Sequence, residues 1–343
     1  MTKKGVIFIK KKALLIKALF ALVAISVAVV VIYFMPYIEN TVNARSYTVE
    51  AVDLSVHGDR IYFLNTGGAD AILLESDGKF ALIDAAEDSD NPRNFPDLEF
   101  EGTEDYVVDV VRKIAGDENG KAVLEFVLGT HSHSDHIGGF DTLILDENIT
   151  VKTAYIKKYD ESKIRSYEIE AWDNKEVYEQ MLSACKKRKV PVVHDISEEE
   201  FTFGNFTLKF CNTAETESVE PVGENENAVG LLVVKNGMKA FLAADINNYD
   251  GDEDRLAKQL GKINLLKVGH HGYDGSTTLG FVQTLRPEIA VVTNRENRIS
   301  RTPLKNLNSV NASIFETGKY NGIVAEFTDS EIVIYGDIDN NPA

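Results

Sequence analysis

The sequence predicts an α/β fold: two mixed β-sheets packed face to face with helices on their outer faces, an αββα sandwich, preceded by one N-terminal transmembrane helix. Three observations predict it. Strand-like runs come first and then alternate with helical ones, in both halves of the chain. Four of the strand-like runs end in Asp or His. An uninterrupted apolar run occupies residues 13–35.

The apolar run, ALLIKALFALVAISVAVVVIYFM, has 23 residues and one charge, Lys17, close enough to its end to snorkel. About 20 apolar residues span a bilayer, so the length fits a transmembrane helix. The lysines of residues 1–12 precede it and predict a cytoplasmic basic tail. The span reads as a signal anchor in the cell membrane. A cleaved signal peptide is the competing reading, with VNA (Val42 to Ala44) as a passable cleavage site, although it lies far beyond the apolar run. Residues 36–57 then form a stalk, and residues 58–343 an extracellular domain.

Within that domain RIYFLNT (Arg60 to Thr66), AILLES (Ala71 to Ser76) and FALIDA (Phe80 to Ala85) read as strands separated by the turn signals GGAD and SDGK. Glu87 to Thr103 is polar and reads as a loop. EDYVVDVVRKIAG has apolar residues at helical spacing and a terminal glycine. AVLEFVLGT (Ala122 to Thr130) is a buried-type strand. A helix, the strand VKTAYIKKY, a helix from Trp172 to Lys189 and the strand VPVVHDI follow. FTFGNFTLKFCN and AVGLLVVKNGMKAFLAADI read as hairpins, EDRLAKQLG as a helix and INLLKVGHHG as a strand. Helix TLGFVQTLR, strand EIAVVTN and further β structure complete the chain.

Charge narrows the function. Residues 1–40 carry +5 against a chain total of −18, so the remainder carries −23. A domain that acidic repels phosphate backbones, which disfavours tight nucleic-acid binding but not a metal site that handles a single phosphate. The two cysteines, Cys185 and Cys211, are too few for a disulfide framework. Unpaired core thiols or one disulfide both remain open.

The chemistry concentrates in THSHSDHIGG (Thr130 to Gly139), where three of the chain's seven histidines and one aspartate fall within six positions. Alternate residues of an extended turn point the same way, so His131 and His133 can grip one metal ion. Asp135 and His136 can turn toward a second. Imidazole with carboxylate suits Zn²⁺ or Mn²⁺. Asp84, Asp245 and the pair His270–His271 each end another strand and are candidates to complete the site.

This pattern resembles the metallo-β-lactamase superfamily, whose signature is His-x-His-x-Asp-His, over roughly residues 58–335. The resemblance implies an αββα sandwich with two divalent metals, Zn²⁺ or Mn²⁺, between the sheets. It implies His131 and His133 on the first metal, Asp135 and His136 on the second, and Asp245 bridging them. It implies His270 or His271 as a further ligand, with His270 favoured and His271 then a neighbouring proton donor, and Asp84 as the carboxylate that orients a ligand histidine. Many members place a third histidine on the first metal before the bridging aspartate. Here the only histidine in that interval, His194, reads as structural, and ENENAVG supplies Asn225 and Asn227, of which Asn227 is expected beside the site. The asparagine form with an HHG ending is also similar to the extracellular domain of ComEC-type DNA-uptake channels.

The stretches FLNTGGADAILLESDGKFALIDAAED, IKKYDESKI, WDN and LLKVGHHGYDGST resemble the catalytic modules of teichoic-acid phosphorylcholine esterases, without their choline-binding repeats. That resemblance implies a phosphodiesterase acting on cell-wall or lipid head groups, with Asp135 and His271 at the reacting atoms. A quaternary ammonium needs an aromatic cage, for which Trp172, Tyr159 and Tyr273 are candidates, with Glu87 behind them. A nuclease or competence-type hydrolase, a lactonase or thioesterase of the same fold, and a non-catalytic binding protein are the alternatives.

Overall fold

The alternation of apolar residues builds two facing sheets. The computed structural model describes residues 17–35, 49–88, 102–214 and 221–338. In chain order its strands are β1 (Glu50–Ala51), β2 (Arg60–Phe63), β3 (Ala71–Ser76), β4 (Lys79–Ala85), β5 (Ala122–Leu128), β6 (Ile149–Val151), β7 (Ala154–Tyr155), β8 (Val192–Val193), β9 (Phe201–Phe203), β10 (Phe206–Cys211), β11 (Gly230–Lys235), β12 (Met238–Leu242), β13 (Leu265–Lys267), β14 (Ile289–Val292), β15 (Ser313–Glu316), β16 (Ile323–Phe327) and β17 (Ile332–Gly336). The first sheet runs β1-β17-β16-β2-β3-β4-β5-β7-β8, with β6 also on β5; the second runs β15-β14-β13-β12-β11-β10-β9. Both are mixed. In the first, β4 pairs antiparallel with β3 and parallel with β5; in the second, β12 pairs antiparallel with β11 and parallel with β13.

Side-chain alternation sorts the core into layers. Along β3, Ile72 and Leu74 face the second sheet, where they join Leu208, Leu231, Val233 and Leu265. Leu73 faces the other way, toward Val107, Val111 and Met181 of the helices Glu104–Ala115 and Asn174–Arg188. On the far side Phe241, Leu266 and Ala290 pack against Leu256, Phe281 and Leu304 of the helices Asp252–Leu260, Leu279–Leu285 and Arg301–Asn308. The αββα order is the one the sequence predicts.

Several boundaries differ. Pairing starts at Glu50, on β17, and Val52 is 2% exposed, so the domain takes in residues assigned to the stalk. In the VKTAYIKKY run only Val151, at the end of β6, and Ala154–Tyr155 are strand, and the long helix begins at Asn174, which leaves Trp172 ahead of it. The helix Arg301–Asn308 was read as β-region; its Pro303 lies in the first turn, where a missing N–H is tolerated. Cys185 and Cys211 are separate buried thiols. Lys17–Met35 is one helix, long and apolar enough to cross a membrane, with its side chains exposed. The basic tail and the VNA cleavage site lie outside the described residues.

Glu253 ties the second outer layer to the loop that follows the histidine pair. Its carboxylate accepts the backbone N–H groups of Thr277 and, at 2.9 Å, Thr278, just ahead of the helix Leu279–Leu285. Burial pushes its pKa up to about 7 against those hydrogen bonds. The folded state therefore holds a proton that the unfolded chain releases near pH 4.5. The stability this contributes is complete below that pH and lost as pH rises through 7. Chemical denaturation should show Glu253→Gln gaining on the wild type between pH 5 and pH 8.5. Glu253→Ala, which strands two N–H groups, should cost about 1–3 kcal/mol at pH 5.

Candidate metal centre

The site lies where strands of both sheets end. After β5 the chain turns through Thr130 and His131, and a short helix, Ser134–Ile137, starts immediately behind His133. Gly139 allows this: a Cβ there would sit 2.3 Å from the Ala85 carbonyl oxygen at the end of β4. Asp84, with its backbone in the left-handed region (φ 56°), turns its carboxylate into the same place. It accepts the Thr130 backbone N–H and hydroxyl, each at 2.8 Å, and lies 2.8 Å from His136 Nδ1. That contact fixes which ring nitrogen of His136 carries the proton and leaves Nε2 free.

The second sheet supplies the rest. Asp245 follows β12, and the turn Gly269–Gly272 follows β13. Within that turn His270 and His271 both have positive φ, 48° and 49°. Hydrogen bonds hold it, among them His270 N–H to Ala244 O (3.0 Å), Ser276 Oγ to Gly269 O (2.8 Å), Asn294 Nδ2 to His271 O (3.0 Å) and Ser300 N–H to Gly272 O (2.8 Å).

Two groups of donor atoms result, and Asp245 belongs to both. In one, made of Asp70, His136, Asp245 and His271, His136 Nε2 lies 3.2 Å from His271 Nε2 and 3.2 Å from Asp245 Oδ1, and Asp135 Oδ2 lies beside the group, 3.3 Å from His271 Nε2. In the other, His131 Nε2 lies 3.1 Å from His133 Nδ1. The remaining ring nitrogens are engaged elsewhere: His131 Nδ1 is 3.1 Å from the Thr130 hydroxyl, and His133 Nε2 is 2.9 Å from Glu168 Oε1. Each imidazole thus has one nitrogen tied back and one aimed inward.

Electrostatics agree. Burial opposes protonation of His136 and His271, yet Asp245 with Asp84 and Asp70 holds both well above the usual histidine range. Asp245 is held well below the usual carboxylate range by these histidines, despite its burial. Its Oδ1 is buried without a hydrogen-bond donor, as is Asn225 Oδ1. Inward-facing imidazoles, clustered carboxylates and unsatisfied buried oxygens are the donor set of a divalent metal pair.

The structure brings most of the expected residues together and redistributes some roles. His271, at 1% exposure, stands in the group with His136 and Asp245, where His270 was expected. His270, with a side chain 31% exposed, faces the pocket, its Nε2 3.8 Å from Asp245 Oδ2. Leu265 of β13 faces inward while Leu266 and Val268 face the outer helices, and His271 lies on the side of Leu265. Asn225, not Asn227, lines the metal pocket. Asn227 donates to Glu224 Oε1 and opens onto a separate cavity of 660 Å³ together with Tyr159 and His194. Tyr159 is therefore apart from the metal pocket. Trp172 and Tyr273 line it, with the Trp172 ring 6.2 Å from His133.

Sequence reasoning missed Asp70, Glu168 and Glu224. Glu168 also accepts Asn174 Nδ2 and the Glu224 N–H, and Glu224 Oε2 accepts the Ser132 N–H. All three are buried. Asp70 sat in a GGAD stretch read as a turn, and the glutamates had no signal beyond their charge.

The pattern defining the Metallo-beta-lactamase superfamily matches residues 64–213. ComE operon protein 3 of Bacillus subtilis (strain 168) is 27% identical over 178 residues, which cover 51% of this chain and 20% of that protein's length. Among solved structures, the metallo-beta-lactamase fold protein YhfI from Bacillus subtilis is 13% identical, covering 78% of this chain and 99% of its own, with a TM-score of 0.49. Zn(2+)-bound PqqB from Methylobacterium extorquens is 13% identical, covering 75% and 87%, with a TM-score of 0.43.

Zinc titration against a chromophoric chelator should separate the two adjacent histidines. His271→Ala should weaken one zinc by more than tenfold, and His270→Ala should leave both zinc affinities within about threefold of wild type. Asp245→Ala, which removes the shared carboxylate, should weaken both.

Proposed function

We propose that the chain is a metallo-β-lactamase-superfamily hydrolase and, more narrowly, a membrane-anchored phosphodiesterase for esters that carry a cationic head group. The observation that carries the reading is the wall of the 360 Å³ pocket beside the metal centre. Its rings are Trp172, Tyr167, Tyr249 and Tyr273, and its carboxylates include Glu87, Glu168 and Glu226. Among the described residues its only Arg or Lys is Arg165, which lies 3.6 Å from Glu226. Aromatic faces with carboxylates attract an alkylammonium group by cation–π and Coulomb forces.

Two divalent ions held by the donor groups would supply Lewis acidity at a phosphoryl oxygen and an activated water. The protein's own residues supply position. His131 and His133 hold one side, Asp135, His136 and His271 the other, and Asp245 reaches both. The rings of Trp172 and Tyr273 seat the head group. His270, exposed to the pocket and held below the usual histidine range by burial, is placed as a neutral imidazole to accept a proton there. The helix Lys17–Met35 anchors the enzyme in the cell membrane, with the lysine-rich end in the cytoplasm and the catalytic domain outside.

The asparagine form with the HHG ending, similar to ComEC-type DNA-uptake channels, favours a second reading, hydrolysis of a DNA strand. The acidic pocket wall weighs against it, because a strand brings several phosphates past those carboxylates.

Full-length protein in detergent micelles, loaded with zinc or manganese, should release nitrophenol from p-nitrophenyl phosphorylcholine faster than from bis-p-nitrophenyl phosphate, and chelator should stop both. Trp172→Ala should raise KM for the choline ester about 5- to 30-fold, the equivalent of about 1–2 kcal/mol of cation–π attraction, and leave the plain diester unchanged. Cleavage of DNA in preference to both esters would instead establish the second reading.

A further inference from the structure

Strand β13 puts a lysine where a hydrophobic side chain would pack. Leu265 faces the core between the sheets and Leu266 faces the outer helices, so period two aims Lys267 inward with Leu265. Lys267 is 0% exposed. Its ammonium forms an ion pair with Asp70, donates to Ala244 O at 2.9 Å and lies 3.9 Å from Asp245 Oδ1. Asp70, at 1% exposure, accepts the Thr293 hydroxyl at 2.5 Å, and the same Oδ1 lies 3.3 Å from His271 Nδ1. Its backbone N–H donates to Asp135 O, and its carbonyl accepts the Ala86 N–H. Asp70 is thus clamped between a buried cation and the rear of His271.

Desolvating such a pair costs several kcal/mol per ion, and an apolar pair of like volume is often as stable or more so. Packing alone does not explain it. We propose that Asp70 and Lys267 are positioning residues for metal binding. Asp70 holds His271 as the Nδ1–H tautomer, with the Nε2 lone pair aimed between Asp135 and Asp245. Lys267, ion-paired with Asp70 and anchored on Ala244 O, keeps that carboxylate turned toward the ring. The proposal rests on the metal-centre reading above and adds that one half of the centre depends on a lysine that reaches it through Asp70, which stands among the grouped donor residues.

A charge effect and a positioning effect differ in sign. Removing Lys267 alone makes the surroundings more negative, which by Coulomb's law tightens a cation. Loss of positioning loosens it. The charge-conserving double variant Asp70→Asn/Lys267→Met cancels the first effect and retains the second. Zinc competition with a chromophoric chelator should show two zinc ions on the wild type, and on the variant one of them weakened about 10- to 100-fold. The metal-free variant should melt no lower than metal-free wild type. Unchanged zinc affinity would overturn the proposal and leave the metal centre standing. Wild type that binds no zinc would overturn both. Should the variant fail to fold, the ring-nitrogen NMR signals of zinc-loaded wild type decide, with His271 assigned by the signal lost in His271→Gln. An Nδ1–H tautomer at His271 is the expected result, and an Nε2–H tautomer overturns the proposal.

Discussion

The geometry of the site hangs on the Asp84 carboxylate. One fully buried side chain joins the end of β4 to the first residue after Gly129 and to the ring of His136. Burial drives its pKa up while His136 and the Thr130 donors pull it down. A carboxylate so placed keeps its donors oriented at low cost only while all of them are present. Thr130 also touches His131 Nδ1, so the same contact sets the direction of a histidine in each donor group.

Much of the fold was legible because period and turn chemistry are local. Ile72, Leu73 and Leu74 read as strand from their own sequence, and the Asn236–Gly237 pair marks the β11–β12 hairpin. The return of β16 to pair with β2 was not legible, because that pairing joins residues more than 250 positions apart. The site divides in the same way. Three histidines in six positions announce themselves. Asp70 and Lys267 do not, since an aspartate after two glycines reads as a turn and a strand lysine reads as solvent-facing. The choice between His270 and His271 depends on backbone angles that no residue type there demands, and the choice between Asn225 and Asn227 on a single turn of 3₁₀ helix.

That histidine turn carries strain for a purpose. Two successive non-glycine residues in the left-handed region cost about 1–3 kcal/mol each. Hydrogen bonds from Ser276 and Asn294 hold the turn from two sides. The result is one histidine directed inward and its neighbour directed into the pocket.

The donor groups come from both sheets: Asp70, His131, His133 and His136 from the first, Asp245 and His271 from the second. Across much of the interface the sheets meet through apolar contact alone, which is free to slide by small amounts. At this end they meet through atoms that a single ion would draw together. Ion occupancy and the closure of the sandwich are therefore one equilibrium. Each tenfold rise in free ion above its dissociation constant adds about 1.4 kcal/mol to the folded state. The domain would register the ion content of its surroundings as resistance to unfolding, and hence to proteolysis, before any substrate arrives.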